Sequence, residues 1–332
     1  MNKIRWGILG TGNIAAQFAR GLAVLPEAEL VAVGSRAEGT AVTFAQQFNI
    51  PHARATYESL AQDVQVDVIY VATPHVFHME NSLLCLEQGK AVLCEKPFAI
   101  NKQQAERVFT AAHDKGLFVM EAMWTYFLPA MVKVRQLLAE EAIGEVRMLT
   151  ADFGFRTSIN AESRLFDPAL GGGALLDVGI YPLALAQMIF GSPTEIRSLA
   201  HLGETGIDEQ AAVILGYGGG ELALLHTAVR TESPQEAIIM GTDGRIKIHA
   251  PWWMPSRLTL TQPGRPDQEL EVSFLGNGYN YEATAVMESL RAGQTEHPLM
   301  PWATTLALLE TMDTIRGQWG LRYPGEEVNS EQ

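Results

Sequence analysis

The stretch Ile4-Arg5-Trp6-Gly7-Ile8-Leu9-Gly10-Thr11-Gly12-Asn13-Ile14-Ala15-Ala16 is a short apolar run that breaks into the pattern Gly10-x-Gly12-x-x-Ala15 and then into helix-forming sequence. It predicts a strand, a tight turn and a helix. In that arrangement Gly10 permits the turn, Gly12 lets backbone N–H groups approach a pyrophosphate, Ala15 allows close helix packing, and the helix N-terminus adds partial positive charge. Gly10, Thr11, Gly12, Asn13 and Ile14 are therefore the expected phosphate-binding residues of a dinucleotide site. Glycine turns also join ordinary strands to ordinary helices, so the surrounding sequence has to decide.

It does so by alternating. After a helix through Leu25 come a β-rich run Ala28 to Gly34, a helical run Val42 to Phe48, and a continuous apolar strand Val66 to Ala72. Asn81 to Gln88 suits a helix, Ala91 to Cys94 a strand, Lys102 to Lys115 a helix ended by Gly116, and Leu117 to Glu121 a strand. Apolar runs without clean alternation, separated by helices, are what a parallel sheet covered on both faces requires. Residues 1–122 are expected to form an α/β Rossmann domain, a doubly wound parallel sheet.

The end of the second strand selects the cofactor. An acidic side chain there accepts bonds from the ribose 2'-hydroxyl of NAD, whereas NADP needs cations for its 2'-phosphate. The strand ends Gly34-Ser35-Arg36, offering a hydroxyl and a guanidinium fork, so NADP is expected rather than NAD. Two more loops leave strand C-terminal ends, where ligands bind in such sheets. Thr73-Pro74-His75-Val76-Phe77-His78 is placed beside the nicotinamide ribose, with Thr73, Pro74, His75 and His78 as cofactor contacts unless His78 only begins the next helix. Cys94-Glu95-Lys96-Pro97 directs the Lys96 ammonium toward the crevice, with Glu95 available as its counter-ion.

Past Glu121 the pattern changes, and residues 123–332 are expected to form an α+β domain with a large, mostly antiparallel, open-faced sheet. Met123-Trp124-Thr125-Tyr126-Phe127-Leu128-Pro129 is an aromatic lead into a helix, Val146 to Phe155 is a strand, and Gly171-Gly172-Gly173 opens a long helix ending at Gly191. Seven β-like runs follow between Glu195 and Phe274, with hairpin turns at Gly218-Gly219-Gly220 and Thr242-Asp243-Gly244. In Ala212 to Leu215 and Leu222 to Leu225 both alternate positions are apolar, so both sheet faces should be covered, one by the chain's own helices and one by a second copy in an isologous homodimer. The last helix, 301–318, is placed at the domain junction, and the polar tail Gly325 to Gln332 is expected to fray.

Within the helix after the triple glycine, Asp177 and Tyr181 are four apart and share a face. A Tyr is too weakly acidic to act as a base at neutral pH unless a nearby ammonium favours its phenolate, and Lys96 is the candidate. Tyr181 would then take a substrate hydroxyl proton as hydride leaves the same carbon, with Asp177 binding a neighbouring hydroxyl or orienting Lys96. The competing reading is a helical Tyr buried for packing with an Asp at the rim.

Composition narrows the classes. A chain of 332 residues suggests two domains, and 47% hydrophobic with 19% charged residues describes an ordinary globular protein. A net charge of -14 and the lack of a basic stripe argue against nucleic acid and anionic lipid. Cys85 and Cys94, each inside an apolar run, are expected as buried free thiols rather than a disulfide or metal pair, and no metal site is expected. The first residues pass directly into the first strand, and no 18-residue membrane span is read, so the expected setting is cytoplasmic and the expected partner a small molecule.

The motifs Gly10-x-Gly12-x-x-Ala15, Glu95-Lys96-Pro97 and Asp177-x-x-x-Tyr181, in this order across these two domain types, resemble the Gfo/Idh/MocA family of NAD(P)-dependent oxidoreductases. The segments Met120 to Thr125, Gly172 to Tyr181 and Tyr281-Glu282-Ala283 are similar to the branch of that family acting on cyclic trans-diols and on aldopyranoses such as D-xylose. The resemblance implies catalytic Lys96, Tyr181 and Asp177, with Tyr181 where other members more often carry His. It implies a 2'-phosphate contact at Arg36 and a substrate pocket lined by Trp124, Phe155 and one of Trp252 or Trp253. In that branch the aromatic segment usually reads Trp-Thr-Arg-Phe, whereas here Tyr126 stands in the third place, and Ala285 stands where a His is usual. Carbonyl or imine reduction, glycoside cleavage through transient oxidation, and a non-catalytic NADP sensor are the alternatives left open.

Overall fold

The computed structural model describes residues 3–326. The chain divides into two compact units, one comprising Met1–Ala99, Gln103–Val132 and Ser273–Leu306, the other Ile100–Lys102, Lys133–Val272 and Ala307–Gln332.

The first unit begins with a parallel sheet of six strands, β1 (Ile4–Leu9), β2 (Ala28–Gly34), β3 (His52–Arg54), β4 (Val68–Val71), β5 (Ala91–Glu95) and β6 (Val119–Ala122), in the order β3-β2-β1-β4-β5-β6. Strands β4 and β5 are buried at every position, as expected for central strands covered on both faces. The three-residue β3 escapes the sequence reading because it is half-buried and polar; His52 and Arg54 both reach Asp63 at 2.8 Å. The connecting helices are α1 (Asn13–Leu22), α2 (Glu38–Phe48), α3 (Tyr57–Ala61), α4 (His78–Glu87) and α5 (Lys102–Lys115). Chain order reverses between β1 and β4, so the loops after these two strands diverge and leave a crevice, the usual ligand position in such a sheet. Cys85 and Cys94 are buried free thiols, as the sequence indicates. A 3-10 turn, Trp124–Phe127, and helix α6 (Pro129–Ala139) follow β6.

The second unit is built on eight strands, β7 (Val146–Gly154), β8 (Glu195–Leu202), β9 (Asp208–Gly216), β10 (Leu222–Ala228), β11 (Ala237–Gly241), β12 (Gly244–Ile248), β13 (Arg257–Thr261) and β14 (Gln268–Glu271). Their order is β14-β13-β12-β11-β7-β10-β9-β8, with β7 and β10 parallel and every other pairing antiparallel. Helix α7 (Ile180–Phe190) packs against β7 and β10. Buried and exposed positions alternate along β9 and β10, so one face is covered and the other carries exposed Ile214, Leu222 and Leu224.

One reading needs correction. The stretch Pro168–Phe190 does reach the length and apolarity of a membrane span, with mean hydropathy 1.5, although the sequence was read as having none. It is 72% buried within the fold, and it is assembled from a 3-10 turn, a π-helical turn and α7. Its apolarity therefore serves a mostly buried core helix.

The chain then returns to the first unit with α8 (Tyr279–Arg291) and the start of α9 (Trp302–Trp319). Helix α8 packs on α1, and the Asn277 side chain donates to the Gln17 carbonyl at 2.8 Å. Phe109 is stacked between Phe98 and Trp302 at centroid distances of 4.6 and 5.3 Å. The expected fraying tail lies outside the described residues from position 327 onward, while Glu326 is fixed by Arg316 at 2.8 Å.

Candidate functional site

In the first unit the glycine turn has the form its sequence requires. Gly12 is extended and precedes α1 with no side-chain cap, and no carboxylate stands in the first helical turn. The free N–H groups of Asn13 and Ile14 and the helix dipole therefore favour an anion at this end. A Cβ on Gly12 would meet nothing within 4 Å, so a ligand has room to reach the backbone there. Gly10 has φ 112°, and its Cβ would stand 2.8 Å from the Ala72 carbonyl oxygen, which makes glycine obligatory where the ends of β1 and β4 converge. These features fit the pyrophosphate of a dinucleotide.

At the end of β2, Ser35 is buried and its hydroxyl lies 2.6 Å from that of Thr40, while the Arg36 guanidinium lies 5.8 Å from the Phe77 ring centroid. Burial pushes the Tyr57 phenol up and the Arg36 charge pulls against it, so Phe77 and Tyr57 flank this cation. Neither was singled out in the sequence, because Tyr57 comes from the start of α3 and Phe77 from the turn after β4.

Beyond β4, Thr73 and His75 are buried, Pro74 precedes a 3-10 turn, and His78 begins α4. His78 is fully buried, with Nδ1 2.8 Å from the Pro97 carbonyl and Nε2 2.8 Å from that of Thr73. It thus ties the two loops that were expected to bracket the nicotinamide. Glu95 points inward: the Tyr70 hydroxyl donates to its Oε1, and the Lys96 backbone N–H donates to Oε2 at 3.2 Å. Lys96 is joined to Pro97 by a cis peptide, and its ammonium charge is felt by Glu121. Burial raises Glu121 to about 7 against the opposing effects of the Thr305 hydroxyl, the Phe98 N–H and Lys96. Glu282, on α8, is fully buried with neither carboxylate oxygen hydrogen-bonded among the described residues, and burial together with the Glu95 charge holds its carboxyl well above the usual range. Trp124 is stacked on Tyr279 at 4.7 Å.

In the second unit, Gly171 and Gly173 take positive φ of 72° and 122°, and the chain then enters a π-helical turn, Leu175–Gly179, before α7. Asp177 lies inside that widened turn and Tyr181 just beyond it, so the simple four-residue helical spacing does not describe them. Asp177 is paired with Arg164 at 2.8 Å. Tyr181 is 8% exposed, and its ring lies 5.5 Å from that of Phe153, which is itself stacked on Trp253 at 3.5 Å. Of the two adjacent indoles, Trp252 is buried with its ring N–H on the Asp152 carbonyl at 2.6 Å, so Trp253 is the one on the Tyr181 side. Phe155 follows β7 and is half-buried, its backbone N–H donating to Ala228. Phe153 and Arg164 are the residues the sequence reading missed. The inward alternation of Leu149, Ala151 and Phe153 is the signal for the first; the loop carrying the second has no periodicity to read.

Comparison with known proteins agrees with both halves of this picture. Residues 4–123 match a family model described as an oxidoreductase family with an NAD-binding Rossmann fold, and residues 131–247 match the GFO/IDH/MocA C-terminal domain. The trans-1,2-dihydrobenzene-1,2-diol dehydrogenase of Danio rerio is 39% identical over 329 residues, 96% of this chain and 98% of that one. Its namesake from Mus musculus is 38% identical over 98% of this chain and 99% of its own. A crystal structure of a 3-ketoreductase from Actinomadura kijaniata with NADP and TDP-benzene superposes with TM-score 0.86 at 26% identity, covering 95% of this chain and 98% of that one. With its Rossmann sheet, its mostly antiparallel second sheet and these matches over nearly its full length, the chain belongs to the Gfo/Idh/MocA family of NAD(P)-dependent oxidoreductases.

Proposed function

We propose that this protein is an NADP-dependent dehydrogenase acting on a hydroxyl-bearing carbon of a cyclic trans-diol or of an aldopyranose such as D-xylose. The dinucleotide, when bound, accepts or supplies the hydride. Tyr181, as its phenolate, takes the proton of the reacting hydroxyl, and Lys96 is the second candidate catalytic residue. Asp177, oriented by its pairing with Arg164, accepts a hydrogen bond from a neighbouring hydroxyl. The stacked Phe153 and Trp253 offer an apolar wall to one face of a six-membered ring. Arg36, between Phe77 and Tyr57, meets the 2'-phosphate, which is the ground for NADP over NAD.

The observation that carries this reading is the grouping of Tyr181 with the stacked Phe153 and Trp253, four residues beyond the Asp177 that pairs with Arg164. The dihydrodiol dehydrogenases, 39% and 38% identical over nearly the whole chain, support the diol as the first substrate to try. The 3-ketoreductase supports a second reading, the same hydride transfer run toward a ketone. The test is NADPH fluorescence titration of the purified protein, followed by reduction of NADP with a panel of diols and sugars and oxidation of NADPH with ketones. Turnover of a diol or sugar is the expected result. Turnover of ketones alone moves the assignment to reduction, and binding without any turnover leaves a nucleotide sensor.

We further propose a homodimer formed through the exposed face of the second sheet. Leu222 pairs with Met148, Leu224 with Ile214 and Ala212 with Leu199, so these side chains form one apolar patch. Leu199 is 81% exposed and Ile214 49%, more than isolated surface residues of these types require.

A further inference from the structure

The π-helical turn that holds Asp177 starts without a side-chain cap of its own and follows three glycines, two of them at positive φ. Such a backbone is free to wander unless something outside it holds it. Asp208, the first residue of β9, is fully buried, and its Oδ2 accepts the Leu175 N–H at 2.6 Å. Among the described residues Oδ1 has no hydrogen-bond partner, and it stands against the position a Cβ on Gly173 would take. Beside it, the Tyr323 hydroxyl donates to the Gly172 carbonyl at 2.7 Å. The segment bearing Tyr323 is fixed in turn: Glu326 accepts the Tyr323 N–H at 2.8 Å and pairs with Arg316 at 2.8 Å. Arg316 also pairs with Asp313 at 2.7 Å, donates to the Ile100 carbonyl at 3.1 Å, and lies 5.0 Å from the Tyr323 ring. Two carbonyl or amide groups of the glycine turn are thus gripped from two different elements.

We propose that Asp208 is a positioning residue, which, with Tyr323 fastened to the neighbouring Gly172 carbonyl, sets where the turn bearing Asp177 and leading into Tyr181 stands. The inference rests on the roles given above to Asp177 and Tyr181. By accepting the N–H at the start of this helical segment, Asp208 serves as a cap delivered from a strand. The last residues described, far from Asp177 in sequence, become part of what makes the site precise. A displacement of this turn by about 1 Å is enough to lower turnover by ~100-fold without touching a reacting atom.

The experiment is amide hydrogen exchange of the full-length protein, read peptide by peptide, beside steady-state kinetics with NADP and the best substrate from the panel. In Asp208→Ala, exchange over residues 174–181 should accelerate by ~10-fold or more while the Rossmann peptides keep the parental rate. Turnover should fall by ~10-fold or more with the KM for NADP within about twofold of the parent. Asp208→Asn keeps an acceptor oxygen for the Leu175 N–H and should recover most of both losses. Parental exchange and turnover in Asp208→Ala, or equal damage in the Ala and Asn variants, would overturn the proposal. If Asp208→Ala fails to fold, Tyr323→Phe decides: faster exchange over residues 172–177 supports the grip, and parental exchange overturns it. A parent that turns over no substrate sinks the dehydrogenase reading, while the exchange measurement still reports on Asp208.

Discussion

A phenol with an ordinary pKa near 10 is a poor base at neutral pH, so the role proposed for Tyr181 requires neighbours that favour its phenolate. Tyr181→Phe should lower turnover by ~100-fold or more while NADPH titrates as in the parent; an unchanged rate removes the base assignment. Arg36→Ala should raise the KM for NADP by ~10-fold or more and leave the KM for NAD within about twofold, and equal rises for both would remove the phosphate contact. Glu121 gives a prediction in stability. Its carboxyl is raised by burial to about 7 from 4.5, so the unfolded chain releases this proton first as pH rises. Its contribution is greatest below pH 4.5 and is lost through about 7, a difference of about 3 kcal/mol. Glu121→Gln should flatten that part of the pH–stability curve in urea titrations; a slope equal to the parent's would be the contrary result. Of the residues of the proposed site, Lys96, Asp177, Tyr181 and Arg36 can be named from the sequence because each sits at a fixed offset from a motif. Arg164 and Phe153 cannot, since one is placed by the fold of a loop and the other by the parity of a strand.

At the scale of elements, the strands of the Rossmann sheet other than β3 were legible because their apolar runs are nearly unbroken, and the hairpins of the second sheet because glycine marks their turns. The π-helical turn was invisible. No residue type announces a hydrogen bond five residues back, and the Ile180 N–H reaching the Leu175 carbonyl is an outcome of packing. That turn explains the third glycine. Gly173 holds φ at 122°, and any side chain there would collide with the Asp208 carboxylate. Gly173→Ala should therefore cost about 1–3 kcal/mol in chemical denaturation, and a loss below about 0.5 kcal/mol would show that the turn relaxes freely.

For the molecule as a whole, the two fold classes followed from the switch between strands separated by helices and successive strands separated by hairpin turns. The parallel pairing of β7 with β10 did not, because sequence neighbours reveal nothing about which distant strand fills the centre of a sheet. The exposed apolar face gives the prediction at this scale: Leu224→Glu should yield a folded monomer in sedimentation velocity where the parent sediments as a dimer. A parent that is monomeric at micromolar concentration, or a variant that stays dimeric, would remove the proposed interface. The return of Ser273–Leu306 to the first unit has a consequence for biosynthesis. Phe109 waits for Trp302, α1 for α8, and Trp124 for Tyr279, so an emerging nascent chain has its β1–β6 sheet translated long before the segments that finish its packing. Ribosome-stalled chains ending near position 130 should therefore remain protease-sensitive, with resistance of the nucleotide-binding half acquired only as synthesis nears completion.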